Sequence, residues 1–254
     1  MIITSKDNNR IKEIKKLKQK KYRTDKFIVE GAKMIREAIA EDLDIDVIVF
    51  RSGYNFEIDV SKYDIIETTE AVFKELTDVV SPQGIIAVIN KNKNISNIDT
   101  NDNYIIALDG IQDPGNLGTI IRTADAANIK QIIVSKDTVD CYSSKVIRST
   151  MGSIYRVKII EVENLDECLN DLKKYCFEIV TTELNGNESI YDVDYNKKIV
   201  VIGNEANGVS KEVQEISDHK VIIPMPGKAE SLNASVATGI MIYEYVRQRI
   251  NNKV

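Results

Sequence analysis

Apolar residues recur along this chain in two alternating rhythms. Between residues 6 and 21, Ile11, Ile14 and Leu17 stand at helical intervals among lysines, which predicts an amphipathic helix. FIVE (27–30) then reads as a strand, followed by a helix through Met34, Ile35 and Ile39. DVIVF (46–50), DIIET (64–68) and GIIAVI (84–89) predict further strands, with a short helix around 70–77. The stretch 91–103, KNKNISNIDTNDN, holds only isolated apolar residues among Asn and Asp and reads as a linker. Alternation resumes with YIIALD (104–109), QIIV (131–134), FEIVTT (177–182), KIVVIG (198–203) and HKVIIP (219–224). Continuous apolar strands of this kind suit a parallel sheet covered on both faces, so the fold class is α/β. From about Asn233 to Ile250 an amphipathic helix carries Val236, Ile240, Tyr243 and Val246. The expected organisation is a smaller mixed domain over 1–90, a linker over 91–103 and a larger α/β domain over 104–254.

With 254 residues and 43% hydrophobic content, either domain can fill a core. No run of 18 apolar residues is present to span a bilayer, and MIITSKDNNR lacks the apolar stretch of a secretory signal, so a cytoplasmic location is expected. Cys141, Cys168 and Cys176 form no CxxC pair, and His219 is the only histidine, which argues against a disulfide framework, a metal site and Ser-His or Cys-His catalysis. His219 is read as structural. The net charge of −5 is unevenly placed: residues 1–26 hold ten Lys or Arg against three carboxylates, a segment charge of +7. Such an arm can meet phosphates, although a solvated helix face has the same composition.

Three clusters in the second half combine strand ends with glycine and polar residues. LDGIQDPGNLGTIIRTADAA (108–127) runs from a buried strand through a loop into a helix, with Asp113 and Pro114 suited to its cap and first position. Ligands of open α/β sheets gather at the carboxyl ends of strands, which favours Asn116 and Arg122 as contacts. The glycines spell neither GxGxxG nor a P-loop. IVVIGNEANGVS (199–210) offers Gly203 and Glu205 after another apolar strand, and VIIPMPGKAESLNASVATG (221–239) places Ser231, Leu232 and Asn233 at the opening of the last helix. Each cluster alone is also compatible with a plain turn or a helix cap.

Together and in this order, the clusters resemble the three motifs of the SpoU (TrmH-type) family of RNA ribose 2′-O-methyltransferases, within the SPOUT superfamily. The likeness spans roughly 104–250, and FIVEGAKMIREAI looks like the L30e-like RNA-binding domain that precedes the catalytic domain in many members. The resemblance implies a parallel sheet with a trefoil knot, S-adenosylmethionine as cofactor, an RNA substrate, with 23S ribosomal RNA preferred, no metal, and a homodimer. Residue by residue, it implies that Asn116, Arg122, Glu205, Ser231 and Asn233 form the catalytic set and that Gly203, Ile223 and Leu232 contact the cofactor. Arg122 is the family's candidate for activating the 2′-hydroxyl. A guanidinium stays protonated in proteins, so charge stabilisation of a developing alkoxide, or deprotonation assisted by an RNA phosphate, suits it better than proton abstraction. Rival readings are a transfer-RNA methyltransferase, a Rossmann-like enzyme and a non-catalytic RNA-binding or ribosome-assembly protein.

Overall fold

The computed structural model describes residues 2–55, 59–91 and 97–251. Part of the expected linker, residues 92–96, lies outside the described residues. The chain forms two compact units, one from Met1–Lys93 with Tyr142–Tyr155, the other from Asn94–Cys141 with Arg156–Val254.

The first unit contains β1 (Ile2–Ile3), α1 (Asn9–Lys16), β2 (Lys26–Glu30), α2 (Ala32–Ala40), β3 (Ile45–Arg51), β4 (Ile65–Thr68), α3 (Glu70–Leu76) and β5 (Ile85–Asn90), together with α5 (Ser144–Thr150) from far along the chain. Its sheet runs β1-β4-β3-β5-β2, with β5 antiparallel to both neighbours. β5 shows why the sheet is covered twice. Ile85, Ala87 and Ile89 join Phe27, Met34 and Ile35 on one face, while Ile86 and Val88 join Ile11, Phe73 and Leu76 on the other. This is the period of two that successive strand side chains impose. Ile147 of α5 belongs to the first of these clusters, the Tyr142 ring lies 4.8 Å from that of Phe27, and Tyr155 Oη donates to the Met34 carbonyl at 3.2 Å.

The second unit is a seven-stranded sheet made of β6 (Tyr104–Asp109), β7 (Gln131–Ser135), β8 (Lys158–Val162), β9 (Glu178–Thr182), β10 (Glu188–Ser189), β11 (Lys198–Gly203) and β12 (His219–Ile222). The order is β10-β12-β9-β11-β6-β7-β8 and every pairing is parallel. All six residues of β11 are buried, as expected for a central strand with helices on both faces. Helices α6 (Leu165–Leu172) and α7 (Lys211–Glu215) lie on one face, where Leu169 and Val213 meet Ile105, Ile199 and Val201. Helix α8 (Ala234–Asn251) packs against β11 and against α4 (Pro114–Ala126). The described end of the expected linker is tied into this unit by the buried Gln131, whose Nε2 donates to the Asp99 carbonyl and the Asp102 carboxylate, both at 2.7 Å.

The last helix departs from its apolar pattern. Val236 and Tyr243 are more than half exposed, whereas Thr238, Met241, Ile242, Glu244 and Tyr245 are buried. The buried polar groups are satisfied locally: Thr238 donates to the Ala234 carbonyl at 2.6 Å, and Glu244 accepts from Arg247 and Gln248. Helix α8 therefore has a second apolar face that stays outside.

Candidate functional site

The register of two central strands brings the first two motifs together. β6 and β11 pair in step so that Asp109 lies beside Gly203, and both chains leave the sheet at the same edge. One exit is the loop 110–113, turned by Gly110 with φ +71° and held by its N–H on Ser135 Oγ at 2.9 Å. The other is a tight hairpin in which Asn204 and Gly208 exchange both backbone hydrogen bonds at 2.9 Å. The Asn204 side chain clasps the two loops. Its Nδ2 donates to the Gly110 carbonyl at 2.7 Å, and its Oδ1 accepts from the N–H groups of Ala206 and Asn207.

From that hairpin Glu205 reaches across to the start of α4. Its carboxylate accepts from the N–H of Gln112 at 3.1 Å, the N–H of Asp113 at 3.2 Å and Asn116 Nδ2 at 2.9 Å. Asp113 caps the same helix by accepting from the Asn116 N–H, with Pro114 in the first turn as the sequence suggested. The third motif closes the set, since Asn233 Nδ2 donates to Asn116 Oδ1 at 2.9 Å. Desolvation pushes the Glu205 carboxyl upward, but the Asn116 amide and the backbone N–H groups of Gln112, Glu205 and Asp113 outweigh it and hold it below the usual carboxylate range. A fixed anion thus anchors three loops that are distant in sequence.

Beside this network opens a pocket of about 690 Å³, within the range that small-molecule sites occupy. Gly203, Glu205, Ile223, Ser231, Leu232 and Asn233 all line it, while Asn116 joins through its bonds to Glu205 and Asn233. Arg122 is not among the lining residues. It sits exposed on α4, two turns beyond Asn116. His219 is also outside the pocket wall, with Nδ1 3.0 Å from Glu188 and Nε2 3.1 Å from Glu178, which suits the structural role expected of it. Among the described residues no group of three or more His, Cys, Asp or Glu could hold a metal ion, and no helix is long and apolar enough to cross a membrane.

Sequence reasoning missed one wall. Thr182, Leu184 and Asn185, at the carboxyl end of β9, line the pocket too. The signal was available: ELNGN (183–187) follows an apolar strand with the Asn and Gly of a ligand-facing loop.

Known proteins resemble this chain along most of its length. Residues 103–243 match the SpoU rRNA Methylase family, and residues 8–87 match an MRM3-like substrate binding domain. The chain is 30% identical over 245 residues to the 23S rRNA (guanosine(2553)-2′-O)-methyltransferase RlmP of Bacillus subtilis, covering 95% of this chain and 97% of that protein. Two solved structures superpose along almost the whole length. An AdoMet-bound rRNA methyltransferase from Sinorhizobium meliloti has a TM-score of 0.84 at 30% identity, covering 98% of each chain. The SpoU methyltransferase AviRb from Streptomyces viridochromogenes, in complex with AdoMet, has a TM-score of 0.85 at 26% identity, covering 96% of this chain and 98% of that one. With both the motif geometry and these likenesses in place, the chain belongs to the SpoU rRNA methylase family.

Proposed function

We propose that this protein transfers the methyl group of S-adenosylmethionine to a ribose 2′-hydroxyl of 23S ribosomal RNA. The observation that carries this reading is the Glu205–Asn116–Asn233 network, which ties all three family motifs to the rim of one pocket at the carboxyl edge of a parallel sheet. The pocket suits the cofactor. Ile202, Val221, Ile223 and Leu232 give it apolar surface for an adenine and a methionine chain, and the loops 182–185 and 203–209 bring backbone groups alongside. When bound, S-adenosylmethionine supplies a sulfonium methyl that is already electrophilic.

The protein then has to hold a hydroxyl in line and stabilise charge that develops on its oxygen. We assign the charge stabilisation to Arg122, whose guanidinium cannot act as a base, and the hydroxyl proton to a phosphate oxygen of the RNA, while the sulfur leaves as a neutral thioether. Glu205 and Asn116 hold the rim loops in register, and Ser231 and Asn233 supply polar groups at the mouth of the pocket. Gly203, Ile223 and Leu232 are assigned to cofactor contact. The C-terminal segment of the second unit is read as threaded through a loop into the family's trefoil knot, the 1–90 region as its L30e-like RNA-binding domain, and the cytoplasm as the working compartment. A homodimer fits the outward face of α8, where Val236, Tyr243 and Ile250 are 51%, 53% and 62% exposed at heptad-like spacing.

The testing experiment is transfer of tritiated methyl to 23S ribosomal RNA from cells lacking the protein, followed by mapping of the label. Label in a 2′-O-methyl nucleotide is expected. Label confined to transfer RNA would move the substrate, and failure to bind the cofactor at all would move the protein to a non-catalytic role.

A pH dependence follows from Glu205. Its folded-state carboxyl lies below its unfolded value, so the anion's contribution is fully present above the ordinary carboxylate range and is lost as pH falls through the lowered value. The network's contribution to folding is therefore expected to hold above the ordinary carboxylate range and to fade as acid protonates Glu205. Melting curves across the acid range check it, with Glu205→Gln expected to lose the acid limb.

A further inference from the structure

The positive charge of residues 1–26 divides into two parts in the folded first unit. Along α1 the cations are answered by carboxylates: Arg10 meets Asp64, Lys12 meets Asp7 at 2.8 Å, Lys15 meets Glu75 at 2.6 Å and Lys16 meets Glu13 at 2.7 Å. Lys15 and Lys6 together hold the Glu75 carboxyl down to about 2. Such exposed pairs are individually weak, but they cancel much of the helix's outward field.

The turn after α1 carries no carboxylate of its own: residues 18–23 read KQKKYR, Lys18 meets Asp78 at 2.8 Å, and Lys20–Tyr22 form a single 3-10 turn. Lys21 Nζ stands 4.9 Å from the centroid of the Tyr22 ring, which is 40% exposed. Arg23 follows, donating from Nη1 to the Leu17 carbonyl at 2.7 Å. Lys91 Nζ donates to the Arg23 carbonyl at 2.6 Å and lies 4.1 Å from the centroid of Tyr142. Tyr142 opens the segment 142–155, which also lacks carboxylates. Its helix α5 buries Val146 and Ile147 and leaves Lys145 and Arg148, three residues apart, exposed on one side. Arg23, Tyr142 and Arg148 line a common small cleft with Asp78, which meets Lys18, and Glu30, which accepts from Thr77 through one of its two carboxylate oxygens.

Cations interleaved with aromatic rings, drawn from two acid-free segments, are what single-stranded RNA recognition requires: charge for phosphates and ring faces for bases. We infer that this face of the first unit, formed by the 20–23 turn, Lys91 and α5, binds the sugar–phosphate backbone of single-stranded ribosomal RNA, with Tyr22 as a stacking platform. The inference rests on the proposed RNA substrate. It assigns a substrate-gripping helix to residues 144–150, which lie inside the stretch matched by the methylase family model.

The test is filter binding of 23S ribosomal RNA between about 50 and 200 mM salt to Lys21→Ala/Arg148→Ala. The control is Lys12→Ala/Lys16→Ala, which removes the same charge from α1. All four side chains are exposed, and melting curves verify folding. The patch variant is expected to bind RNA about 10-fold more weakly at the low-salt end. Its slope of log affinity against log salt should be shallower by about 1.4, two lost single-strand phosphate contacts at about 0.7 each. The control should change affinity less than about twofold, and cofactor affinity should be unchanged in both. An unchanged slope in the patch variant, or an equal loss in the control, overturns the inference, as does polyglutamate competing as well as RNA. If the wild type methylates RNA and the patch variant binds it normally, only the patch is wrong. If the wild type binds no RNA, both the patch and the proposed substrate fall.

Discussion

Arg122→Ala is expected to lower methyl transfer by about two to four orders of magnitude while leaving the melting curve and S-adenosylmethionine affinity near those of the unaltered protein. The expectation of intact stability comes from the side chain's setting. Arg122 is exposed on α4 and makes no hydrogen bond or ion pair with the other described residues, so its removal should change folding by no more than about 0.5 kcal/mol. Intact cofactor affinity is expected because Arg122 does not line the pocket. What remains is a permanent cation, free of structural duties, on the helix whose first turn holds Asn116. If it stabilises charge developing on the ribose oxygen, kcat falls and the cofactor's Kd does not. Arg122→Lys should recover part of the rate, since the charge is kept and the planar fork is lost. Single-turnover methyl transfer beside calorimetric titration separates the two quantities. Full activity in the alanine variant would remove Arg122 from the mechanism.

The largest stability effect is expected at Gly203. A Cβ built there would lie 2.1 Å from both Gly208 C and Val209 N, backbone atoms of the returning hairpin strand. These atoms cannot swing away as a side chain could, because Asn204 and Gly208 are locked by two backbone hydrogen bonds. Gly203→Ala is expected to destabilise the second unit by about 3 kcal/mol or more, a fall in Tm of roughly 6–12 °C for a unit of this size. Gly227→Ala serves as the control, with nothing within 4 Å of its added Cβ and no change in melting expected. The pair also tests why glycine stands at 203. Lost cofactor affinity with unchanged melting would mean that glycine serves only close approach of the ligand. Lost melting means that it closes the hairpin that carries Glu205.

The hydrophobic pattern revealed the sheet of the second unit well, for a physical reason. YIIALD and KIVVIG are buried on both faces, and an unbroken apolar run is what a central strand covered on both sides requires. The strand Lys158–Val162 escaped notice because it sits at the sheet edge, with Lys158 and Glu161 interrupting a short apolar stretch. On α8, apolar spacing alone could not identify the covered face, because Val236 and Tyr243 stay exposed while Thr238 and Glu244 are buried with their own partners. The residue types of the site were legible as motifs. Their pairing was not, since Asn116 meets Glu205 across 89 positions and Asn233 across 117, separations that only strand register sets. The charged arm was legible as charge, and its neutralisation by Asp64 and Glu75 needed the fold. Nothing in Ile147 announces that it will enter the core of the first unit.

That last allocation has a consequence for synthesis. The first unit's sheet is complete once Asn90 has been made, but a helix that covers part of it ends only at Thr150, and the segment that carries this helix runs to Tyr155. A ribosome adding about 5–20 residues per second needs roughly 3–13 seconds more before that segment exists. During that interval the nascent sheet carries an uncovered apolar patch around Phe27 and Met34, and β6 and β7 of the next unit are made before the first can close. The two units are thus coupled through the order of translation, and a chain that ends after residue 90 would leave the ribosome with its hydrophobic cluster missing Ile147.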